Sequence, residues 1–148
     1  MQEFEALKLK NQLCFPLYAC SREIIKRYKP FLDELDLTYT QYITMMVLWE
    51  EEKITVKALG ERLYLDSGTL TPLLKKMEAR GLLTRERCRD DERSLMVTIT
   101  EKGNALKEPA STIPSRMSGC VHLSPEEGQT LYTLLYKLLC AEDQGSVE

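Results

Sequence analysis

A mainly helical chain with a small β hairpin, an α+β fold, is what this sequence predicts, and three patterns predict it. Leu70, Leu73, Leu74 and Met77 fall at i, i+3, i+4 and i+7, one face of a helix. Leu95, Val97 and Ile99 alternate with Met96, Thr98 and Thr100, the period of a half-buried strand. Leu131, Leu134, Leu135, Leu138 and Leu139 form a broad helical stripe late in the chain. With 148 residues, 43% hydrophobic and 29% charged, the chain has the size and composition of one soluble globular domain with a real core.

Taken in order, residues 8–35 read as a long helix with Leu13, Leu17, Ile24, Ile25, Phe31, Leu32 and Leu35 at its apolar positions. A proline inside a helix costs ~3 kcal/mol but little in the first turn. Pro16 therefore places the start of regular helix near Phe15 or kinks it there, and Pro30 marks a second kink or break. A helix of this length exceeds what a small core needs, which points to packing against another subunit. Thr38 or Thr40 can cap the next helix, Tyr39 to Glu51, with Tyr42, Ile43, Met46, Val47 and Trp49 as core candidates.

Ile54-Thr55-Val56 reads as a short extended piece, and Thr55 can cap a helix from Val56 to Leu63 with Ala58, Leu59 and Leu63 turned inward. A three-residue turn, 64–66, leads into the helix of the first stripe, which Asp66 or Ser67 can cap and Gly81 can end. Short helix, tight turn and second helix make a helix-turn-helix. The outer face of the second helix carries Ser67, Thr69, Thr71, Lys75 and Lys76, donors suited to phosphates and base edges.

Two strands, 82–88 and 94–100, then flank a charged loop, a hairpin directly after the motif and therefore the wing of a winged helix. Arg93 at its tip suits a narrow minor groove. Asp90, Asp91 and Glu92 would be repelled by phosphate, so at least one is expected to pair with an arginine and aim it, and Asp91 is read as support for the wing. A helix signal returns over 101–110, interrupted by Pro109, Pro114 and Gly119 as in a bent helix or helix pair. Ser124-Pro125-Glu126-Glu127 opens the last helix, and residues 142–148 read as a frayed tail.

The expected organisation is a winged helix-turn-helix DNA-binding region, 37–100, with residues 1–36 and 101–148 forming a helical dimerisation region. Net charge is −3, yet residues 71–89 hold six basic residues, among them Arg85 and Arg87, against two acidic, a local excess of +4. That asymmetry suits one phosphate-facing surface on an otherwise acidic protein. No apolar run approaches the ~18 residues of a membrane span, and the first twelve residues contain no signal core, so a cytoplasmic location is expected. Five scattered cysteines fit a reducing compartment and not a secreted disulfide framework.

Cys14 lies where the first helix begins, and a helix N-terminus favours thiolate over thiol. Tyr18 is one turn on and Tyr28 almost four whole turns on, so all three face one way. Fourteen residues of helix span roughly 21 Å, so Tyr28 can reach only the Cys14 of an antiparallel partner; Tyr39 is a second donor. Such hydroxyls would hold a sulfur anion ready as a nucleophile. A buried packing role for the cysteine and tyrosines stays open on these residues alone. Zinc would need clustered ligands, and His122 is the only histidine, so Cys120-x-His122 makes a weak case and no metal or cofactor is expected. A thiol peroxidase would leave the DNA-binding motif without purpose, and a hydrolase on Cys14 and His122 lacks a third orienting group. No enzyme is expected.

Gln12-Leu13-Cys14-Phe15, Ser21-Arg22-Glu23, Tyr28-Lys29-Pro30, Leu37-Thr38-Tyr39, the run 65–78 and Asp91-Glu92-Arg93-Ser94 resemble the MarR family of winged-helix repressors, in particular its OhrR-type organic-hydroperoxide sensors. The resemblance covers residues 7–106 and is weaker beyond, where only helical pattern matches. It implies a homodimer that binds a pseudo-palindromic operator in double-stranded DNA and releases it when Cys14, matching the peroxidatic cysteine, is oxidised by organic hydroperoxide. Tyr28 and Tyr39 match the tyrosines that bond to that sulfur across the dimer. Pro16 and Thr40 depart from the family pattern, which puts the presentation of Cys14, not the fold, in question. After oxidation to sulfenic acid, either a late cysteine of the other subunit, Cys120 by position, or a small cellular thiol would cap it. Cys20, near the opposite helix face, is read as packing. Two other readings stay open: a repressor gated by a small aromatic acid, and a winged-helix domain that binds another protein.

Overall fold

The computed structural model describes residues 4–91 and 93–140, so Glu92 and the tail 142–148 lie outside the described residues. Two compact units result, 1–114 and 115–148.

In the first unit, two 3₁₀ turns (Glu5–Leu7, Leu9–Asn11) precede α1, Cys14–Asp33. Pro16 is the third residue of α1, in the turn whose N–H groups have no intrahelical acceptor, so the proline forfeits nothing there. Pro30 sits inside α1 without ending it. Leu32 is the buried residue of this helix, whereas Phe15, Leu17, Tyr18 and Ile25 are exposed. Helix α2, Tyr39–Glu51, opens on a reciprocal cap in which Gln41 N–H donates to Thr38 Oγ1 and Thr38 N–H to Gln41 Oε1. Its core face is Tyr42, Met45, Val47 and Leu48. Met46, expected inside, is exposed, and Ile43 and Trp49 are half-buried. Because α2 is apolar nearly all round and packs on α1, α3, α4 and the sheet, periodicity could not fix which side turns inward. Trp49 Nε1–H donates to the Gly103 carbonyl at 3.1 Å.

Strand β1, Lys53–Thr55, leads to α3, Val56–Leu63, capped by Thr55 and anchored by fully buried Leu59. Tyr64 ends α3 in the left-handed conformation (φ 55°), and Leu65 N–H returns to the Gly60 carbonyl at 3.0 Å. A Cβ on Gly60 would lie 2.8 Å from the Leu65 carbonyl oxygen, so the tight turn requires glycine. Helix α4, Ser67–Ala79, buries Leu70, Leu74 and Met77 against the first unit's core, and Gly81 (φ 75°) turns the chain out of it.

The expected hairpin is part of a three-stranded antiparallel sheet. Strands β2, Leu83–Arg87, and β3, Leu95–Ile99, pair as foreseen, and β1 adds to the other edge of β3 in the order β1-β3-β2. Val97 is the centre of register, opposite Ile54 on one side and Arg85 on the other, and it is completely buried. Its neighbours Leu95 and Ile99 are only half-buried, so the sheet buries its middle rather than one whole face. Of the bent helix or helix pair expected over 101–110, the pair is what forms: α5, Glu101–Ala105, and α6, Lys107–Ala110, follow one another, then α7, Ile113–Ser118.

The second unit contains α8, Pro125–Cys140, whose start is a second reciprocal cap: Glu127 N–H donates to Ser124 Oγ and Ser124 N–H to Glu127 Oε1. Those hydrogen bonds from Ser124, backbone first, hold the Glu127 carboxyl below its ordinary range. Leu131, Leu134, Leu138 and Leu139 are exposed, as are Tyr132 and Tyr136, whose rings lie 4.7 Å apart. Among the described residues no helix is long and apolar enough to cross a membrane.

Candidate nucleic-acid interface and redox site

The outer face of α4 follows from its cap. Asp66 Oδ1 accepts the Thr69 N–H at 2.7 Å, which holds the Asp66 carboxyl below its ordinary range and fixes the first turn at the protein surface. Ser67, Thr69, Lys75 and Lys76 are exposed and Thr71 is half-buried, so the donor row read from the sequence lies on one accessible side of the helix.

The wing is joined to this helix by a contact the sequence did not reveal. Glu78, near the end of α4, accepts the backbone N–H of Arg85 at 2.8 Å and its guanidinium at 3.1 and 3.3 Å. The backbone bond first, then the guanidinium, holds the Glu78 carboxyl below its ordinary value. Arg85, expected among the DNA contacts, is thus turned onto Glu78 with its side chain only 18% exposed, and the contact ties the wing strand to α4. Arg87 and Arg93 are exposed.

Asp91, read as support for the wing, acts within its loop. Its carboxylate accepts the Arg93 backbone N–H at 3.0 Å and the Ser94 hydroxyl at 3.2 Å, while its carbonyl accepts the Ser94 N–H. It shapes the loop through the Arg93 backbone N–H and the Ser94 hydroxyl and leaves the Arg93 guanidinium out of its grip. The turn is closed by Cys88 N–H on the Ser94 carbonyl at 2.8 Å.

Cys14 is the exposed first residue of α1. Along the same unbroken helix, Tyr28 lies fourteen residues on, roughly 21 Å at 1.5 Å per residue. Tyr18, placed with Cys14 by sequence, also meets Arg22: Nη1 donates to its hydroxyl oxygen at 3.1 Å and the guanidinium lies 5.6 Å from its ring centre, while the phenolic O–H remains a donor. Tyr28 meets Tyr39 with ring centres 5.0 Å apart, and Tyr42 completes a triangle at 5.8 and 6.3 Å. Tyr42, a core candidate by sequence, is almost wholly buried and also joins this cluster. Its spacing of three from Tyr39 on one helix was the available signal. Burial first, then the neighbouring phenols, pushes the Tyr28 and Tyr42 hydroxyls above their ordinary value, and burial does the same for Tyr39. All three therefore keep their protons at neutral pH and remain donors.

Cys120 follows α7 in the second unit. Its N–H donates to the Met117 carbonyl at 2.9 Å and its thiol faces the Arg116 carbonyl at 3.7 Å. Among the described residues no group of three or more histidines, cysteines and carboxylates is placed to hold a metal ion.

A winged helix with a donor-rich second helix defines a class of DNA-binding regulators, and comparison with known proteins agrees. The family model for the transcriptional regulators SarA/Rot matches residues 26–109. The organic hydroperoxide resistance transcriptional regulator of Bacillus subtilis is 54% identical over 137 residues, 93% of each chain. The regulator SarZ of Staphylococcus saprophyticus is 53% identical over 109 residues, 74% of this chain and 75% of that one. Among solved structures, reduced AbfR bound to DNA superposes with a TM-score of 0.79 at 33% identity, covering 97% of this chain and 98% of that chain. Disulfide-formed AbfR gives 0.64 at 36%, covering 93% and 97%. The chain belongs to the MarR/SarA family of winged-helix transcriptional regulators. It is a regulator of the redox-sensing OhrR/SarZ type rather than an enzyme.

Proposed function

We propose that this chain is a homodimeric repressor that binds a pseudo-palindromic operator in double-stranded DNA and lets go when Cys14 is oxidised by an organic hydroperoxide. The observation that carries the reading is the separation of an exposed Cys14 from the Tyr28–Tyr39 pair by an unbroken helix. Donors for the sulfur must come from a second copy whose first helix runs antiparallel. The exposed apolar stripe of α8 supplies a surface for that copy. The name of the Bacillus subtilis relative, which concerns organic hydroperoxide resistance, supports the oxidant class, and the DNA-bound AbfR supports the DNA.

The chemistry begins with the Cys14 thiolate attacking the terminal peroxide oxygen. The O–O bond breaks, the alkoxide leaves and takes up a proton as the alcohol, and the sulfur becomes S–OH. A thiolate then attacks this sulfur, an S–S bond forms, and hydroxide leaves to be protonated to water. Cys120 of the other subunit is the preferred thiolate, with a small cellular thiol as the alternative. That AbfR was captured on DNA in an overoxidised form, and separately in a disulfide form, favours the disulfide as the releasing state.

On the DNA side, Ser67, Thr69 and Thr71 read bases and phosphates from α4, Lys75 and Lys76 neutralise phosphate, and Arg87 and Arg93 approach from the wing. Arg85 positions the wing and does not touch DNA. Operator release by cumene hydroperoxide tests the reading. Cys14→Ser should bind the operator as tightly as the native protein and stay bound after oxidant; release that persists in this variant would eliminate the thiol sensor.

A further inference from the structure

We propose that Asp36 and Arg80 form a latch through which the state of the tyrosine cluster reaches recognition helix α4. This proposal rests on Cys14 and Tyr28–Tyr39 being the sensing site. Arg80 is the residue that ends α4, and its guanidinium holds Asp36 twice: Nη1 donates to the Asp36 carbonyl, and Nη2 lies 3.4 Å from a carboxylate oxygen. The Arg80 carbonyl is itself held by Lys102 Nζ at 2.7 Å. The latch therefore joins the base of the DNA-reading helix to the loop between α1 and α2.

That loop ends α1 in the left-handed turn common at helix C-termini. Asp36 has φ 53°, a region that aspartate enters more readily than most residues. The contacts imposing it are the Asp36 N–H on Asp33, the Leu37 N–H on Leu32, and Arg80. Two residues later, Thr38 caps α2, whose first residue is Tyr39, its ring tilted against that of Tyr28. Displacing Tyr39 when a partner's sulfur changes its bonding must pull on Thr38 and so on Asp36. The latch also overhangs an open cleft of about 460 Å³ between this loop and α4, lined by Leu37, Thr38, Gln41, Lys76 and Ala79; Leu37 is buried, so a shift of the loop is felt in the core beneath α4. An element both sites can bias, with space to move, is what coupling requires.

The readout is the ratio of operator Kd after and before a cumene hydroperoxide pulse, with Cys14 oxidation followed by mass spectrometry in the same samples. Arg80→Ala and Asp36→Gly should each oxidise Cys14 like the native protein. Arg80→Ala, which removes both bonds to Asp36, should show that ratio reduced at least fivefold. Glycine is at ease at φ 53°, so Asp36→Gly removes only the exposed carboxylate, keeps the carbonyl bond and should show a smaller reduction. Because the ratio is taken within each variant, weaker reduced-state binding by Arg80→Ala does not obscure it. Normal Cys14 oxidation with an unchanged ratio in Arg80→Ala overturns the latch alone. Release by native protein without Cys14 oxidation overturns the sensing site beneath it, and the latch with it.

Discussion

Leu134 and Leu138 of α8 are each 53% exposed, one turn apart on the stripe proposed to meet a second copy. Fully burying a leucine contributes about 1.5–3 kcal/mol, so covering the exposed half of each contributes about 1 kcal/mol. The symmetry of a dimer doubles every substitution, so Leu134→Ala with Leu138→Ala alters four side chains and removes about 4 kcal/mol from association. At 1.4 kcal/mol per factor of ten, the dimer Kd should rise about a thousandfold. Both side chains are exposed within the chain, so the variant should keep its helix content and its unfolding midpoint when measured as a monomer. Sedimentation equilibrium across a concentration series reads the dimer Kd, and circular dichroism checks the helices. A Kd within tenfold of the native value, with helices intact, would refute α8 as a principal part of the interface. The antiparallel pairing of Cys14 with Tyr28 would then have to be held by α1 alone.

Other consequences follow from the same geometry. Lys76→Ala should weaken operator binding and flatten the slope of log K against log salt by ~1, whereas Arg93→Ala should cost affinity mainly at A·T-rich flanks; fluorescence anisotropy across a salt series separates the two. Glu78→Gln tests the tie between wing and helix. Because the folded-state value of Glu78 is lowered, the stability it contributes is present above about pH 4.5 and is lost as pH falls through that lower value. The variant should lose about 1 kcal/mol or less at neutral pH and show a shallower acid limb in its unfolding-midpoint profile. An acid limb identical to that of the native protein would mean that Glu78 titrates normally. Oxidised protein should run as a covalent dimer on a non-reducing gel, and Cys120→Ser should abolish that band; a band that survives assigns the bridge to another cysteine.

Much of this molecule was legible because its boundaries are set by local chemistry. Thr38, Thr55, Asp66 and Ser124 cap the helices that begin beside them, and each cap needs only a side-chain oxygen and an N–H two or three residues on. The helix-turn-helix and the wing were readable for the same reason, and the family resemblance that suggested a regulator was borne out. What escaped depends on contacts distant in sequence or on patterns too short to repeat. Strand β1 has three residues, too few to show a period, so its addition to β3 was invisible. Glu78 and Arg85 sit seven residues apart across a turn, and Asp36 meets Arg80 across forty-four. That Arg85 would meet Glu78 could not be read from the sequence, because a charge total says nothing about which carboxylate a guanidinium will find. Tyr42 disappeared into the core for a related reason: its burial was expected, but its contact with Tyr28 on another helix was not.

The central claim is that one sulfur governs DNA release, and a titration tests it most directly. Reduced protein on a fluorescent operator would receive substoichiometric pulses of cumene hydroperoxide, with bound DNA and the modification of each cysteine quantified at every step. The account predicts that DNA is lost in proportion to oxidised Cys14 and before Cys20, Cys88 or Cys140 reacts. Release that tracks another cysteine, or full Cys14 oxidation with the operator still bound, would contradict it.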